Sequence, residues 1–183
     1  MTLSALGIFS AAGAGGGPQD YELIQSSFIS TSGISQVDFA NLPQIYRHLQ
    51  LRIVMRDASS GPVAEKIGFN DNLSLVYDTH NLQGNGSSVI SNAALNEDTI
   101  QAWRSPGSNA SANIFSSTIV DILDYTSSTK NTTTRSFYGF TSSTNEVALR
   151  SGAWRNTAAV TSVKVYTAGL AIGSRLSLYG IRG

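Results

Sequence analysis

The segments Thr161-Ser-Val-Lys-Val-Tyr166 and Ser174-Arg-Leu-Ser-Leu-Tyr-Gly-Ile181 decide how this chain folds. Apolar side chains alternate with polar ones in both segments, at Val163, Val165, Leu176 and Leu178. Alternation with a period of two predicts strands that bury one face. The glycines between the two segments predict a turn. We therefore expect Leu176, Leu178 and Ile181 to be core residues, so that this end is held in a sheet and is not the attaching element.

The composition of the chain favours β structure. Charged residues make up 13% of the 183 residues, whereas about 25% is usual in soluble proteins. Hydroxyl, amide and glycine residues take their place, and these favour strands and turns over long helices. The length fits one domain with an appended arm.

Charge and cysteine content exclude several classes of function. The formal net charge is +0, and Lys and Arg are not clustered as they are in proteins that bind nucleic acid. The absence of cysteine excludes disulfides, thiolate metal sites and a cysteine nucleophile. No apolar run approaches the length of a membrane span, and Leu3–Ala14 lacks the basic residues of a secretory signal. We expect neither nucleic acid nor membrane as a partner.

Residues 1–18 differ from residues 19–183, which form the predicted sandwich domain. A glycine run closes the first segment before Pro18 and predicts a flexible hinge. The segment is interpreted either as a disordered terminus or as an arm that orders on a neighbouring subunit. Its large apolar side chains favour the arm, because a solvated tail has no use for them. These candidate partner-binding residues are Leu3, Leu6, Ile8 and Phe9.

The rest of the chain predicts about eight to ten short strands, a number typical of a sandwich or barrel. Besides the two C-terminal segments, strands are predicted at 21–29, 36–40, 48–56, 65–69, 100–103, 112–125, 133–141 and 146–154. Apolar residues on both parities of 112–125 predict burial on both faces for part of its length. Residues 41–47 are predicted to form a turn, or one helical turn with Pro43 at its first position. Residues 73–82 fit a short helix or a strand, and residues 84–96 are predicted to be a polar loop.

Candidate chemistry is sparse. His80, with Asp71 and Asp78 nearby, forms a metal half-site, an acid/base pair or simply a polar loop histidine, and His48 is interpreted as a rim residue. Asp121 and Asp124 stand three apart on a strand, so they point to opposite faces and cannot act as a catalytic pair. Their alternative roles are solvation of a strand end or an ion pair with Arg135.

Aromatic and amide residues offer two further alternatives. Trp103, Trp154 and Tyr77 can stack on sugars, although isolated aromatic residues in β proteins are more often core or interface. Asn70-Asp-Asn-Leu-Ser74 supplies oxygen ligands for Ca²⁺ but lacks the remaining ligands of a known loop. We predict no enzyme activity, no cofactor and no metal site.

Several segments together resemble structural proteins of tailed-phage virions, from marine and cyanobacterial phages. The matching pieces are Ile45–Val54, Ile67–Asn72, Gln83–Gly86, Leu149–Val163 and Gly173–Ile181. The piece Ser174-Arg-Leu-Ser-Leu-Tyr-Gly-Ile181 is the most specific, and residues 1–40 are not covered. The resemblance implies a jelly-roll-like antiparallel β-sandwich that forms homotrimers on a virion.

The expected function is that of a capsid decoration, or cement, protein on the outer surface of a phage head. Its partners would be the major capsid protein and copies of itself. The alternative is a tail, baseplate or fibre component with a glycan-binding face. Copy number per virion separates the two, because a cement protein repeats with the capsid lattice and a tail part does not.

Overall fold

The computed structural model describes residues 20–142 and 145–183. These residues form twelve β-strands and no helix, which confirms the all-β prediction. In chain order the strands are β1 Tyr21–Phe28, β2 Ile34–Phe39, β3 His48–Met55, β4 Val63–Phe69, β5 Tyr77–Gly84, β6 Val89–Glu97, β7 Ile100–Ser105, β8 Ser116–Leu123, β9 Thr132–Phe140, β10 Glu146–Trp154, β11 Val163–Leu170 and β12 Arg175–Ile181.

The strands form two antiparallel sheets. The large sheet has the order β1-β12-β3-β8-β9-β10-β5-β6, and the small sheet has the order β2-β11-β4-β7. Four nested pairs, β1 with β12, β2 with β11, β3 with β8 and β4 with β7, underlie this arrangement. Nested pairs divided between two sheets define a jelly roll. The two hairpins β5–β6 and β9–β10 are additions that widen the large sheet on one side.

The two C-terminal strands are internal strands, one in each sheet. β11 lies between β2 and β4 in the small sheet, and β12 lies between β1 and β3 in the large one. Their alternating side chains Val163, Val165, Leu176 and Leu178 are all fully buried. The prediction that this segment is a structural member is confirmed, although Ile181 is only half-buried and lies at the margin of the core.

The core lies between the sheets. From the large sheet, β3 contributes every second residue, Leu49, Leu51, Ile53 and Met55, as its alternation predicts. From the small sheet, Ile67 and Phe69 of β4 face them, and both are fully buried. An aromatic cluster at one end joins Phe69 to Trp154 with 5.6 Å between ring centroids, and Tyr77 stacks on Trp154 at 6.2 Å.

Three predictions about local structure are wrong. No helical turn forms at Pro43. Residues 84–96 are not a loop, because Val89–Glu97 is the edge strand β6, which pairs with β5 through its backbone. Strand β8 does not bury both faces: Val120 and Ile122 are fully buried, whereas Ile119 is 41% exposed.

Candidate functional site

The outer face of the large sheet exposes a continuous line of large apolar side chains, which we call the apolar row: Ile119, Phe137, Leu149 and Leu82. They lie on the consecutive strands β8, β9, β10 and β5, and each is the register partner of the next. Each residue is 41–55% exposed. Directly opposed side chains on one face of a sheet lie about 5 Å apart. The four side chains therefore form one apolar surface and are not scattered exposed residues.

A groove of about 650 Å³ follows the apolar row. Its flank is the next row of register partners, Asp121, Arg135, Ser151 and His80. Arg135 Nε donates to Asp121 Oδ2 at 2.8 Å, and Gln50 Nε2 donates to Asp121 Oδ1 at 2.7 Å. Because both oxygens of Asp121 already accept hydrogen bonds, the groove is better suited to binding an apolar surface than to acid/base chemistry.

Arg52 extends the groove toward β1. It is the register partner of Ile119, and its guanidinium lies 4.8 Å from the ring centroid of Tyr21 and 5.3 Å from that of Tyr179. Tyr21 is the first residue of β1, the edge strand of the large sheet. The groove and the point where residues 1–19 join the sandwich are thus connected along one face of the sheet.

Sequence reasoning did not identify the apolar row. Phe137 and Leu149 belong to strands that were correctly predicted, and both stand on the parity opposite to the buried residues of their strands. Exposed apolar residues on the second parity of two successive strands were the available signal. In β8 alone this signal predicts burial on both faces, and it indicates an exposed row only when β8, β9 and β10 are compared.

The two histidines lie apart. His48 Nδ1 accepts a hydrogen bond from the backbone N–H of Asp124 at 2.9 Å. A hydrogen bond from Lys130 holds the pKa of the Asp124 carboxyl below its usual range. His80 is exposed on β5, not in a loop, and its Nε2 lies 3.3 Å from the Ser91 hydroxyl.

The acidic residues near His80 are engaged elsewhere. Asp78 pairs with Arg155 at 3.0 Å, and Asp71 pairs with Lys164. Within the part of the chain that the structure describes, no three His, Cys, Asp or Glu side chains are placed to hold a metal ion. The metal half-site considered at His80 is not assembled there.

Asp121, Asp124 and the asparagine loop have structural partners. Asp121 binds Arg135, as one of the sequence alternatives held. Asp124 turns away from the strand at its end, with φ of 47°. Asn70, with φ of 53°, accepts backbone N–H groups from Thr161 at 2.8 Å and Ser162 at 3.2 Å through Oδ1. This oxygen joins two loops.

The aromatic residues considered for sugar stacking are core residues. Trp103 and Tyr77 have no exposed surface, and Trp154 is 1% exposed. The Trp103 Nε1 atom lies 3.1 Å from the Met55 sulfur, and the Tyr77 hydroxyl donates to the Asn72 carbonyl at 2.9 Å. The prediction of a glycan-binding face built on these rings is therefore wrong.

The predicted arm residues Leu3, Leu6, Ile8 and Phe9 lie outside the described residues. No helix among the described residues is long and apolar enough to cross a bilayer.

Comparisons with protein-family models, with curated proteins and with solved structures give no match to this chain.

Proposed function

We propose that the chain is a non-enzymatic virion structural protein that decorates the outer surface of a phage capsid. In this role it binds the major capsid protein and copies of itself, as a homotrimer. The observation that carries the proposal is the apolar row on the outer face of a jelly roll. The jelly roll supports it only by analogy, because viral capsid proteins and lectins share this architecture.

The groove along the apolar row suits an apolar segment from a second copy of the chain. Leu3, Leu6, Ile8 and Phe9 provide such a segment, and residues 10–20 that follow extend to at most about 36 Å at about 3.3 Å per residue. The groove strands β8 to β5 stand three to six positions from β1 in the sheet. At about 4.8 Å per strand this is about 14–29 Å. The arm is therefore long enough to span the distance between β1 and the groove strands of a sandwich.

Seating the arm on a neighbour would link copies around the capsid. Small gains at each contact add up when many symmetric copies are joined, and the near-neutral net charge of the chain does not oppose association. Capsid decoration thus requires no active site, only complementary surfaces that repeat.

Light scattering of the full chain in solution tests the role of the groove. The double variant Phe137→Ser, Leu149→Ser should shift the oligomer to monomer, as should deletion of residues 1–17. The control variant Leu75→Ser, Ile172→Ser changes two residues that are 66% and 60% exposed outside the groove and should stay oligomeric. An unchanged oligomer in the groove variant, with circular dichroism like that of the parent, would contradict the proposal.

Copy counting by mass spectrometry of purified virions tests the location. A decoration protein should be present on the order of hundreds of copies per particle because it repeats with the capsid lattice. A few dozen copies would instead indicate the tail, baseplate or fibre, and absence from the virion would refute both locations.

A further inference from the structure

A second concave site lies on the opposite face of the large sheet. The added strands β10, β5 and β6 extend past β7, the edge strand of the small sheet. The corner between them is a cleft of about 260 Å³, which we call the corner cleft. This volume is just below the range of about 300–1,000 Å³ found for small-molecule sites. The polar lining of the cleft includes Thr79, Asn81, Gln83, Asn92, Gln101 and Arg150.

Arg150 brings a buried positive charge to the corner cleft. It is only 7% exposed. Its Nε donates to Asn81 Oδ1 at 3.1 Å, and its Nη1 donates to the Gln101 carbonyl at 3.1 Å. The guanidinium also lies over the ring of Tyr138, with 5.3 Å between Arg150 Cζ and the ring centroid. Among the described residues, no carboxylate lies within ion-pair distance of it. Arginine is rarely buried without such a partner.

The carboxylate on the same face of β10 is already engaged. Glu146 accepts a hydrogen bond from Arg104 Nη1 at 2.8 Å through Oε2 and from the Tyr138 hydroxyl at 2.6 Å through Oε1. Burial raises the pKa of Tyr138, which keeps its hydroxyl protonated and donating. With Arg104 and Glu146 paired, the Tyr138 ring is the partner that remains for the charge of Arg150, which has no carboxylate partner among the described residues.

A purely structural role explains only part of this arrangement. Thr79 Oγ1 accepts the backbone N–H of Gln101 at 3.2 Å, while Arg150 donates to the carbonyl of the same residue. These two bonds cap the free edge of β7. They do not account for a buried arginine without a carboxylate partner. Nor do they account for the side-chain amides of Asn92 and Gln101, which form no hydrogen bond within residues 20–142 and 145–183.

We propose that the corner cleft binds a small carboxylate that also carries hydroxyl groups, such as a sugar acid. The carboxylate accepts hydrogen bonds from Arg150 Nη2, in the charge-assisted geometry that guanidinium groups favour. The hydroxyls bond to the amides of Gln83 and Asn92 at the mouth of the cleft. This inference is independent of the proposed assembly role, since it concerns the opposite face of the sheet.

Isothermal titration of the full chain with D-glucuronate tests the inference, with D-glucose and acetate as the partial ligands. Glucuronate should bind more tightly than either, because glucose lacks the carboxylate and acetate lacks the hydroxyls. Arg150→Gln should weaken glucuronate binding about 10- to 100-fold, the range expected for a lost charge-assisted hydrogen bond. Arg47→Gln, with a side chain 64% exposed outside both the groove and the corner cleft, is the charge-matched control and should bind like the parent.

The variant Gln83→Ala, Asn92→Ala keeps the test decisive if Arg150→Gln fails to fold, since neither amide belongs to the buried core. It should weaken glucuronate binding and leave acetate binding unchanged. The inference is overturned if glucuronate does not bind, if glucose binds as well as glucuronate, or if the double alanine variant binds glucuronate like the parent.

Discussion

Replacing Glu65 with Gln should change how the stability of the fold depends on pH. Glu65 lies on β4 with no exposed surface. The Ser105 hydroxyl bonds to its Oε1, and its Oε2 has no hydrogen-bond partner among the described residues. Burial raises the pKa of Glu65 to about 8; the hydrogen bond from Ser105 opposes this shift, and the charge of Asp57 adds to it. The side chain is therefore mainly protonated in the folded protein at neutral pH.

The sign and size of the effect follow from linkage. The pKa of Glu65 rises from its ordinary value of 4.5 to about 8 on folding, so the folded state holds the proton more tightly. The stability gained from this proton is fully present below pH 4.5 and is lost as the pH rises to about 8. Each pKa unit corresponds to about 1.4 kcal/mol, so the loss approaches about 5 kcal/mol across the window.

Glu65→Gln removes this dependence and carries a cost of its own. The amide places two N–H donors where one protonated oxygen stood, and an unsatisfied buried donor costs about 1–3 kcal/mol. We expect the parent to be the more stable protein at pH 5 and the variant to be the more stable at pH 9. Effects of other titrating groups cancel when the two proteins are compared at the same pH.

Urea unfolding followed by tryptophan fluorescence measures the crossing, because both Trp103 and Trp154 are buried. Glu22→Gln, which changes a half-exposed side chain on β1, serves as the control and should follow the parent. If the difference in unfolding free energy between parent and Glu65→Gln is constant from pH 5 to pH 9, Glu65 does not titrate as argued.

Two further predictions concern glycine and asparagine positions. Gly152→Ala should lower the unfolding free energy by about 1–3 kcal/mol through overpacking, because the added Cβ would lie 2.6 Å from Ile100 Cγ2. Gly84→Ala is the control, since its Cβ would lie 3.9 Å from the nearest atom. It should be neutral or slightly stabilising in the same urea experiment. Asn70→Ala should lower the melting temperature more than Asn70→Gly, because both lose the loop hydrogen bonds but only alanine is strained at the positive φ; equal losses would contradict the strain argument.

The pattern of the sequence was sufficient for most of the fold. Alternation in the segments that became β3, β11 and β12 identified their buried faces, because a strand points successive side chains to opposite sides. The hairpin of β9 and β10 was predicted for the same reason. Strand β6 was not, because it is an edge strand that exposes most of its residues and is held by backbone hydrogen bonds to β5, which leave no apolar signature.

The candidate sites were much less accessible. The corner cleft joins Arg150 of β10 to Gln101 of β7, residues that are brought together only when two sheets pack. The apolar row depends on the spatial order of β8, β9, β10 and β5 in the large sheet. The sequence pattern does not show that β5 lies beside β10. Pairing between strands distant in the chain is set by the global packing of both sheets.

By itself, the sequence determined that this protein is built of strands, which side of most strands is buried, and that no cysteine chemistry is available. Local periodicity records these properties because each residue alone encodes its preference for burial. The tertiary structure decided that Trp103 and Tyr77 are core residues and not a sugar platform. It also decided that Ile119 faces outward and that Arg150 lies buried without a carboxylate. Each of these outcomes depends on which distant strand packs against the residue. That pairing is determined by the packing of the whole chain and not by the local sequence pattern.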